Sequence, residues 1–288
     1  MPKITINDGA KLNYRIDDFT PPWVEDKDKD TIFMHHGFAR NMKWWTMMVP
    51  ALSRKYRVLR LDARGCGGES TVPPKVVTWS IERLVEDAVN LLDYLSIREI
   101  HWVGEASGGM LGLMFAVTYP ERINSLTLIS TPWKLADDKM HFRSQGYHDP
   151  PTAIEKLGFR EWTRRTLSSR FGDLSTEGQQ IQDWIIAEFS KTPTRVAATF
   201  LRIFQSFDFS NRLAEVKVPI LIIRANESQV MTPEEEEKKY QSSVQQQIPN
   251  AKIITLRGIG GLNVHLLRPD NCVEEIQSFL ETAVQQQS

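Results

Sequence analysis

The sequence predicts an α/β fold: a mainly parallel sheet with helices on both faces and a helical insertion. Three observations carry this. Short apolar runs alternate with helix-spaced stretches along most of the chain. The alternation stops between Pro132 and about Asn211, then resumes. A central apolar run, Ile100-His101-Trp102-Val103, passes directly into a glycine-rich turn, Gly104-Glu105-Ala106-Ser107-Gly108-Gly109.

Taken in order, residues 3–6 and 11–15 read as a hairpin around the turn Asn7-Asp8-Gly9. The stretch from Pro21 to Asp30, rich in proline and charge, reads as a surface loop. Thr31 to Met34 and Tyr56 to Leu61 are buried-strand runs. Over 80–95, Ile81, Leu84, Val85, Val89, Leu91, Leu92 and Leu95 recur at helical spacing. Residues 99–103 form a strand, 107–118 a helix, and Ser125 to Ile129 the next strand. Pro219 to Ile223 and Ala251 to Leu256 are strands, followed by helices over about 233–246 and 270–285. The terminal glutamines read as a frayed end.

Bulk properties exclude several functions. The 288 residues are 41% hydrophobic and 25% charged, as suits a soluble globular protein with a sizeable core. A net charge of −1 gives no electrostatic case for nucleic acid or an anionic membrane. The first residues have no signal-peptide core, and no apolar run is long enough to span a bilayer. The only cysteines, Cys66 and Cys272, stand at no metal-ligand spacing, so a reducing cytoplasmic setting is expected. There is no metal-ligand cluster, phosphate loop or dinucleotide fingerprint, so no cofactor is expected. A homodimer is compatible with these properties.

The interruption holds many rings, among them Trp133, Phe159, Trp162, Phe171, Trp184, Phe189, Phe200, Phe204 and Phe207. Most are expected to pack on one another and on the sheet. A few are expected to line a crevice at the carboxyl ends of the strands, where ligands of open α/β sheets bind.

The motifs now add up. Gly104-Glu105-Ala106-Ser107-Gly108 resembles the nucleophile elbow of the α/β-hydrolase family. His35-His36-Gly37-Phe38 resembles the family's His-Gly loop, and Asp62-Ala63-Arg64-Gly65-Cys66-Gly67 its Asp-x-Arg-Gly-x-Gly turn. Pro219 to Pro233 resembles its seventh strand and acid loop, and Gly261 to Pro269 its histidine loop. The resemblance covers nearly the whole chain. It implies an eight-stranded core from residues 1–132 and 212–288, with 133–211 inserted after the sixth strand as a helical cap. It also implies an oxyanion hole made by the backbone N–H groups of Phe38 and Ser107.

What the resemblance does not deliver is the catalytic triad. The framing glycines Gly104 and Gly108 place Ala106 in the nucleophile slot, and a methyl group cannot attack a carbonyl. The acid slot, four residues before the proline of Thr232-Pro233, holds Gln229. The histidine slot, seven residues before Pro269, holds Leu262. His265 stands on the other side of that turn, where relatives often carry a non-catalytic histidine. An amide can orient an imidazole but cannot balance its charge. Three coincident losses point to a natural departure from serine hydrolysis.

The surviving parts suit a cofactor-independent, non-hydrolytic enzyme of isomerase, lyase or cyclase type. Its substrate would be a hydrophobic, carbonyl-bearing small molecule, polyketide- or terpenoid-like. Backbone donors still stabilise an enolate, and holding a floppy substrate in a near-attack shape contributes up to about 7–11 kcal/mol in the best cases. His36, Arg40 and His265 are the candidates for proton transfer or a hydrogen bond, beside the Phe38 and Ser107 donors. Gly37, Asn41, Trp44, Ala106, Trp133, Gln229 and Leu262 are the candidates for contact with substrate. Two alternatives stand: an esterase- or lactonase-type hydrolase with an inactivated or displaced triad, and a binding protein without chemistry. Ser107, one position past the elbow, is expected to resist serine-directed fluorophosphonates. Mass spectrometry after labelling checks this, and stoichiometric modification of Ser107 would shift the register by one.

Overall fold

The computed structural model describes residues 2–25, 29–72, 79–135, 137–171, 174, 178–225, 233–257 and 264–285. β1 (Lys3–Thr5) and β2 (Lys11–Asp17) pair as the expected hairpin, closed by Gly9 at φ +87°. β3 (Thr31–His35) is buried along its whole length. A single-turn helix α1 (Val49–Leu52) precedes β4 (Arg57–Asp62). Then follow α2 (Ile81–Tyr94), β5 (Ile100–Glu105), α3 (Ser107–Thr118) and β6 (Ile123–Ile129). Five helices come next: α4 (Asp137–Arg143), α5 (Pro150–Leu157), α6 (Phe159–Phe171), α7 (Gln179–Phe189) and α8 (Thr194–Gln205). β7 (Ile220–Ala225), α9 (Pro233–Gln245), β8 (Lys252–Leu256), α10 (Val264–Leu267) and α11 (Pro269–Gln285) complete the described chain.

The eight strands form one sheet in the order β1-β2-β4-β3-β5-β6-β7-β8. Only β1 and β2 run antiparallel to their neighbours; β3 through β8 are parallel. The reason is readable in the residues. β3, β5, β6 and β7 are buried at nearly every position and carry Ile, Leu, Val, Phe or Trp on both faces, as belongs in strands covered on both sides. One face buries Ile81, Leu84, Val85, Ala88 and Leu91 of α2 and Met110, Leu111 and Phe115 of α3. The other buries Val49 and Leu52 of α1 with Cys272, Ile276 and Leu280 of α11. α2 starts where Ser80 accepts the Arg83 N–H, an N-cap that satisfies one otherwise unpaired amide.

A third cluster joins the helices between β6 and β7 to the core: Phe159, Trp162, Phe171, Ile185, Phe189, Ala197 and Leu201 pack with Ala39 and Trp44. Most of the rings expected as packing have that role. Two further rings of the same segment, Phe142 and Tyr147, are exposed.

β5 lies between β3 and β6 and ends at the turn that positions the site. Ala106 has φ +48° and ψ −116°, a region open to glycine and costly for a residue with a Cβ, about 1–3 kcal/mol. The turn also requires its framing glycines. A Cβ on Gly104 would lie 2.5 Å from the Gly108 carbonyl oxygen, and one on Gly108 would collide with the His35 carbonyl. Replacing Ala106 by Gly releases the strain but frees the unfolded chain, so Ala106→Gly is expected to stabilise the fold by about 1 kcal/mol net, while Ala106→Val destabilises it. Urea denaturation of both variants checks the sign.

Candidate active site

The elbow floors a cavity of about 270 Å³. Phe38, Ala106, Ser107 and Met110 come from the core loops and α3; Ser130, Thr131 and Leu135 follow β6; Arg143, Trp162, Arg170, Phe189, Leu201 and Phe204 come from the five-helix segment. Ala106 is only 8% exposed, and its N–H is tied to the Ile129 carbonyl at 2.9 Å. Strain concentrates here. Besides Ala106, the lining residue Ser130 (φ +47°) and Ala39 (φ +54°), which stands between the lining residues Phe38 and Arg40, take left-handed backbone.

Among the described residues, the backbone N–H groups of Phe38 and Ser107 have no acceptor in the protein. Both residues line the cavity. Unengaged N–H donors are the groups that can receive an oxygen that gains negative charge.

A buried ion pair holds the two loops in register. Arg40 Nη1 meets Glu105 Oε2 at 2.5 Å, and both side chains are nearly fully buried. Gly37 makes room for it, since a Cβ there would strike the Glu105 carboxylate. The Arg40 guanidinium also stands 4.4 Å from the Trp44 ring centroid and 5.3 Å from that of Phe171. Burial pushes Glu105 up to about 7, with Arg40 and the Gly37 N–H pulling the other way. Burial likewise lowers Arg40, opposed by Glu105.

A family model described as the alpha/beta hydrolase fold matches residues 30–256. The chain belongs to that family. A hydrolase from Pseudomonas aeruginosa PA01 superposes with a TM-score of 0.79 at 25% identity, covering 97% of each chain. The enol-lactonase from Burkholderia xenovorans LB400 gives the same TM-score at 23% identity, covering 97% of this chain and 100% of that chain. The 3-oxoadipate enol-lactonase 1 of Acinetobacter baylyi is 25% identical over 189 residues, 65% of this chain and 67% of that protein. The bifunctional epoxide hydrolase 2 of Sus scrofa is 30% identical over 131 residues, 45% of this chain; the match spans about a fifth of that longer protein, 22%. A putative 2-succinyl-6-hydroxy-2,4-cyclohexadiene-1-carboxylate synthase of Bacillus subtilis is 31% identical over 128 residues, 44% of this chain and 43% of that one.

Of the residues singled out from the sequence, Phe38, Arg40, Ala106 and Ser107 meet at the cavity. Several others do not. Both ring nitrogens of His36 are committed: Nδ1 lies 2.8 Å from the Gly37 carbonyl, and Nε2 accepts the Ala63 N–H at 2.9 Å. Burial, with the neighbouring His35 and Arg40, lowers it to about 3. His36 is therefore a neutral brace between two loops, which corrects its expected role in proton transfer. Asn41 caps the turn that follows, accepting the Lys43 N–H at 3.0 Å and donating to Glu188 at 2.8 Å. Trp44 lies behind the cavity as a face for Arg40. Trp133 receives the Phe209 N–H on its carbonyl and does not line the cavity.

His265 is buried with its ring 4.8 Å from Trp45 and is not a lining residue. Burial first, then the charge of Arg40, keep it well below the usual histidine range. Its expected place at the reacting atoms is corrected accordingly. Gln229 and Leu262 lie outside the described residues. Among the described residues there is no cluster of metal-ligating side chains, and no helix is long and apolar enough to cross a membrane.

Sequence reasoning missed Arg143 and Arg170. The signal existed for one of them. Trp162, Thr166 and Arg170 recur every four residues along α6 and are all buried, so helical spacing aims Arg170 inward.

The raised Glu105 makes a pH prediction. The native state holds this proton more tightly than the unfolded chain, whose glutamate titrates near 4.3, so native protein carries the excess proton between about pH 4.5 and 7. Stability contributed by that proton is full below this window and is lost as pH rises through it. The unfolding free energy of wild type minus that of Glu105→Gln is expected to fall by about 2–3 kcal/mol from pH 5 to pH 8. A flat difference in urea melts would show that Glu105 titrates as in the unfolded chain.

Proposed function

We propose that the cavity is the site of a cofactor-independent enzyme that polarises the carbonyl of a hydrophobic small molecule and rearranges or cleaves it without a covalent serine step. One observation carries this reading. Ala106 keeps the strained elbow geometry and lines the cavity together with Phe38 and Ser107, whose N–H groups are unengaged, while offering no nucleophile. Such a turn gives up about 1–3 kcal/mol, and the Ser107 amide it aims supports charge on oxygen whether or not a serine attacks. The five-helix segment 133–211 acts as the lid, and its rings exclude water from the developing charge.

In this scheme the Phe38 and Ser107 amides hold the substrate oxygen as an enolate-like charge forms, and the proton from the neighbouring carbon passes to a water or hydroxide ion at the cavity mouth. Each such donor typically contributes about 3–4 kcal/mol in hydrolases. Arg40, fixed by Glu105, lends a cation at the cavity wall. Isomerisation, elimination, decarboxylation and cyclisation share this need.

The names of the relatives favour a second reading. The enol-lactonase and the epoxide hydrolase are hydrolases by name, and on that reading Ala106 marks a disabled or displaced triad. The Bacillus subtilis relative is a synthase by name, which supports the first.

Two experiments separate them. Protein dialysed against chelator is expected to accelerate deuterium exchange at the carbon beside the carbonyl of hydrophobic ketones, neutral and carboxylated, followed by NMR in D₂O. Tight binding without exchange would favour a binding protein. Ala106→Ser is expected to leave p-nitrophenyl ester hydrolysis near background, because general-base assistance supplies about 10²–10⁴-fold and no described histidine lines the cavity. Robust turnover by that variant would promote the hydrolase reading.

A further inference from the structure

Five cationic side chains line the cavity: Arg40, Lys134, Arg143, Arg170 and Arg224. Among the described residues no aspartate or glutamate does. Most of these charges are answered elsewhere. Arg40 pairs with Glu105, and Arg224 with Glu236. Lys134 approaches Asp208 at 3.7 Å near the surface, and Arg143 donates to the Ser169 carbonyl at 3.3 Å.

Arg170 is different. Its residue is 4% exposed, and its Nε and Nη2 meet no acceptor. The guanidinium is packed among rings, 4.5 Å from the centroid of Phe189, 4.9 Å from Trp162 and 5.3 Å from Phe171. The charged groups that perturb it are Arg143 and Arg40, both cations. A guanidinium removed from water without an anion is a costly arrangement, and a methionine could fill the same inward position of α6 without that cost. Residues kept against stability are those a ligand needs.

We infer that the cavity recognises an organic carboxylate, with Arg170 as its receptor and Arg143 beside it. The inference rests on the reading of this cavity as the substrate site, and it narrows the substrate to a hydrophobic acid. The carboxylate would lie on the α6 side, on Arg170, while the Phe38 and Ser107 amides take a carbonyl oxygen at the core side. A planar guanidinium fork matches a carboxylate through two parallel hydrogen bonds. A monoanion balances the Arg170 charge, and the apolar remainder of the wall suits a carbon skeleton.

The test uses the full chain and calorimetric titration with 4-oxo-4-phenylbutanoate, its primary amide and phenyl phosphate. Wild type is expected to bind the acid at least tenfold more tightly than the amide. Arg170→Met is expected to weaken the acid by about 10–100-fold and leave the amide unchanged. The same variant without ligand is expected to melt about 2–6 °C higher, since it no longer buries an unanswered cation. If Arg170→Met does not fold, Arg170→Lys keeps the charge, loses the fork, and is expected to bind the acid about tenfold more weakly.

Several results would overturn the assignment: no acid binding at millimolar concentration, equal binding of acid and amide, or unchanged acid binding by the variants. A phenyl phosphate affinity tenfold above that of the acid would reassign the site to phosphate. Because these readouts do not depend on turnover, acid-selective binding without proton exchange keeps this inference and removes the carbonyl-activation reading. Exchange without acid selectivity does the reverse.

Discussion

The site depends on one buried contact, the Arg40–Glu105 ion pair. Glu105 ends β5, and Arg40 belongs to the loop after β3, so the pair ties together the two segments that bring Phe38 and Ser107 to the cavity. Its energetics are those of a buried salt bridge: desolvation nearly cancels attraction, and its presence fixes an arrangement more than it adds stability. The elevation of Glu105 to about 7 shows how close that balance is. Removing one partner alone would leave the other charge buried and unanswered, which typically costs about 3–5 kcal/mol. Gly37 belongs to the same device, because its missing side chain is the space the carboxylate occupies.

Around this contact the chain keeps what is hardest to build and lacks what is easiest to change. The elbow needs a sharp strand end, two glycines against neighbouring backbone and a strained residue between them. A serine hydroxyl is a single substitution. The supporting turn from Asp62 to Gly67 is also intact: Asp62 accepts the Met42 N–H at 2.8 Å, and Arg64 pairs with Asp87 and, at 2.8 Å, with Asp8. These bonds hold loops in place and ask nothing of position 106.

How far this was legible in the sequence follows from what each signal measures. The parallel strands could be read because burial on both faces leaves unbroken Ile, Val and Leu runs such as Ile220-Leu221-Ile222-Ile223. The elbow could be read because backbone collisions dictate its glycines. His36 misled, since a histidine in a loop motif looks the same whether its nitrogens face a ligand or a carbonyl. Trp44 and Asn41 misled in the same way: they sit one layer behind the cavity wall, a distance that linear spacing does not encode. Arg170 was hidden among the eight Lys, Arg, Asp and Glu residues of 155–173, and only the four-residue row with Trp162 and Thr166 singles it out.

The rings around Arg40 have a mechanical consequence. Trp44 belongs to the core, whereas Phe171 and Phe189 belong to α6 and α7. One cation is thus shared between the floor that holds the elbow and the helices that roof it. Lifting those helices would strip two aromatic faces from the guanidinium and let water reach Glu105. The surroundings of the guanidinium and the seating of those helices on the core are thus set by the same contacts.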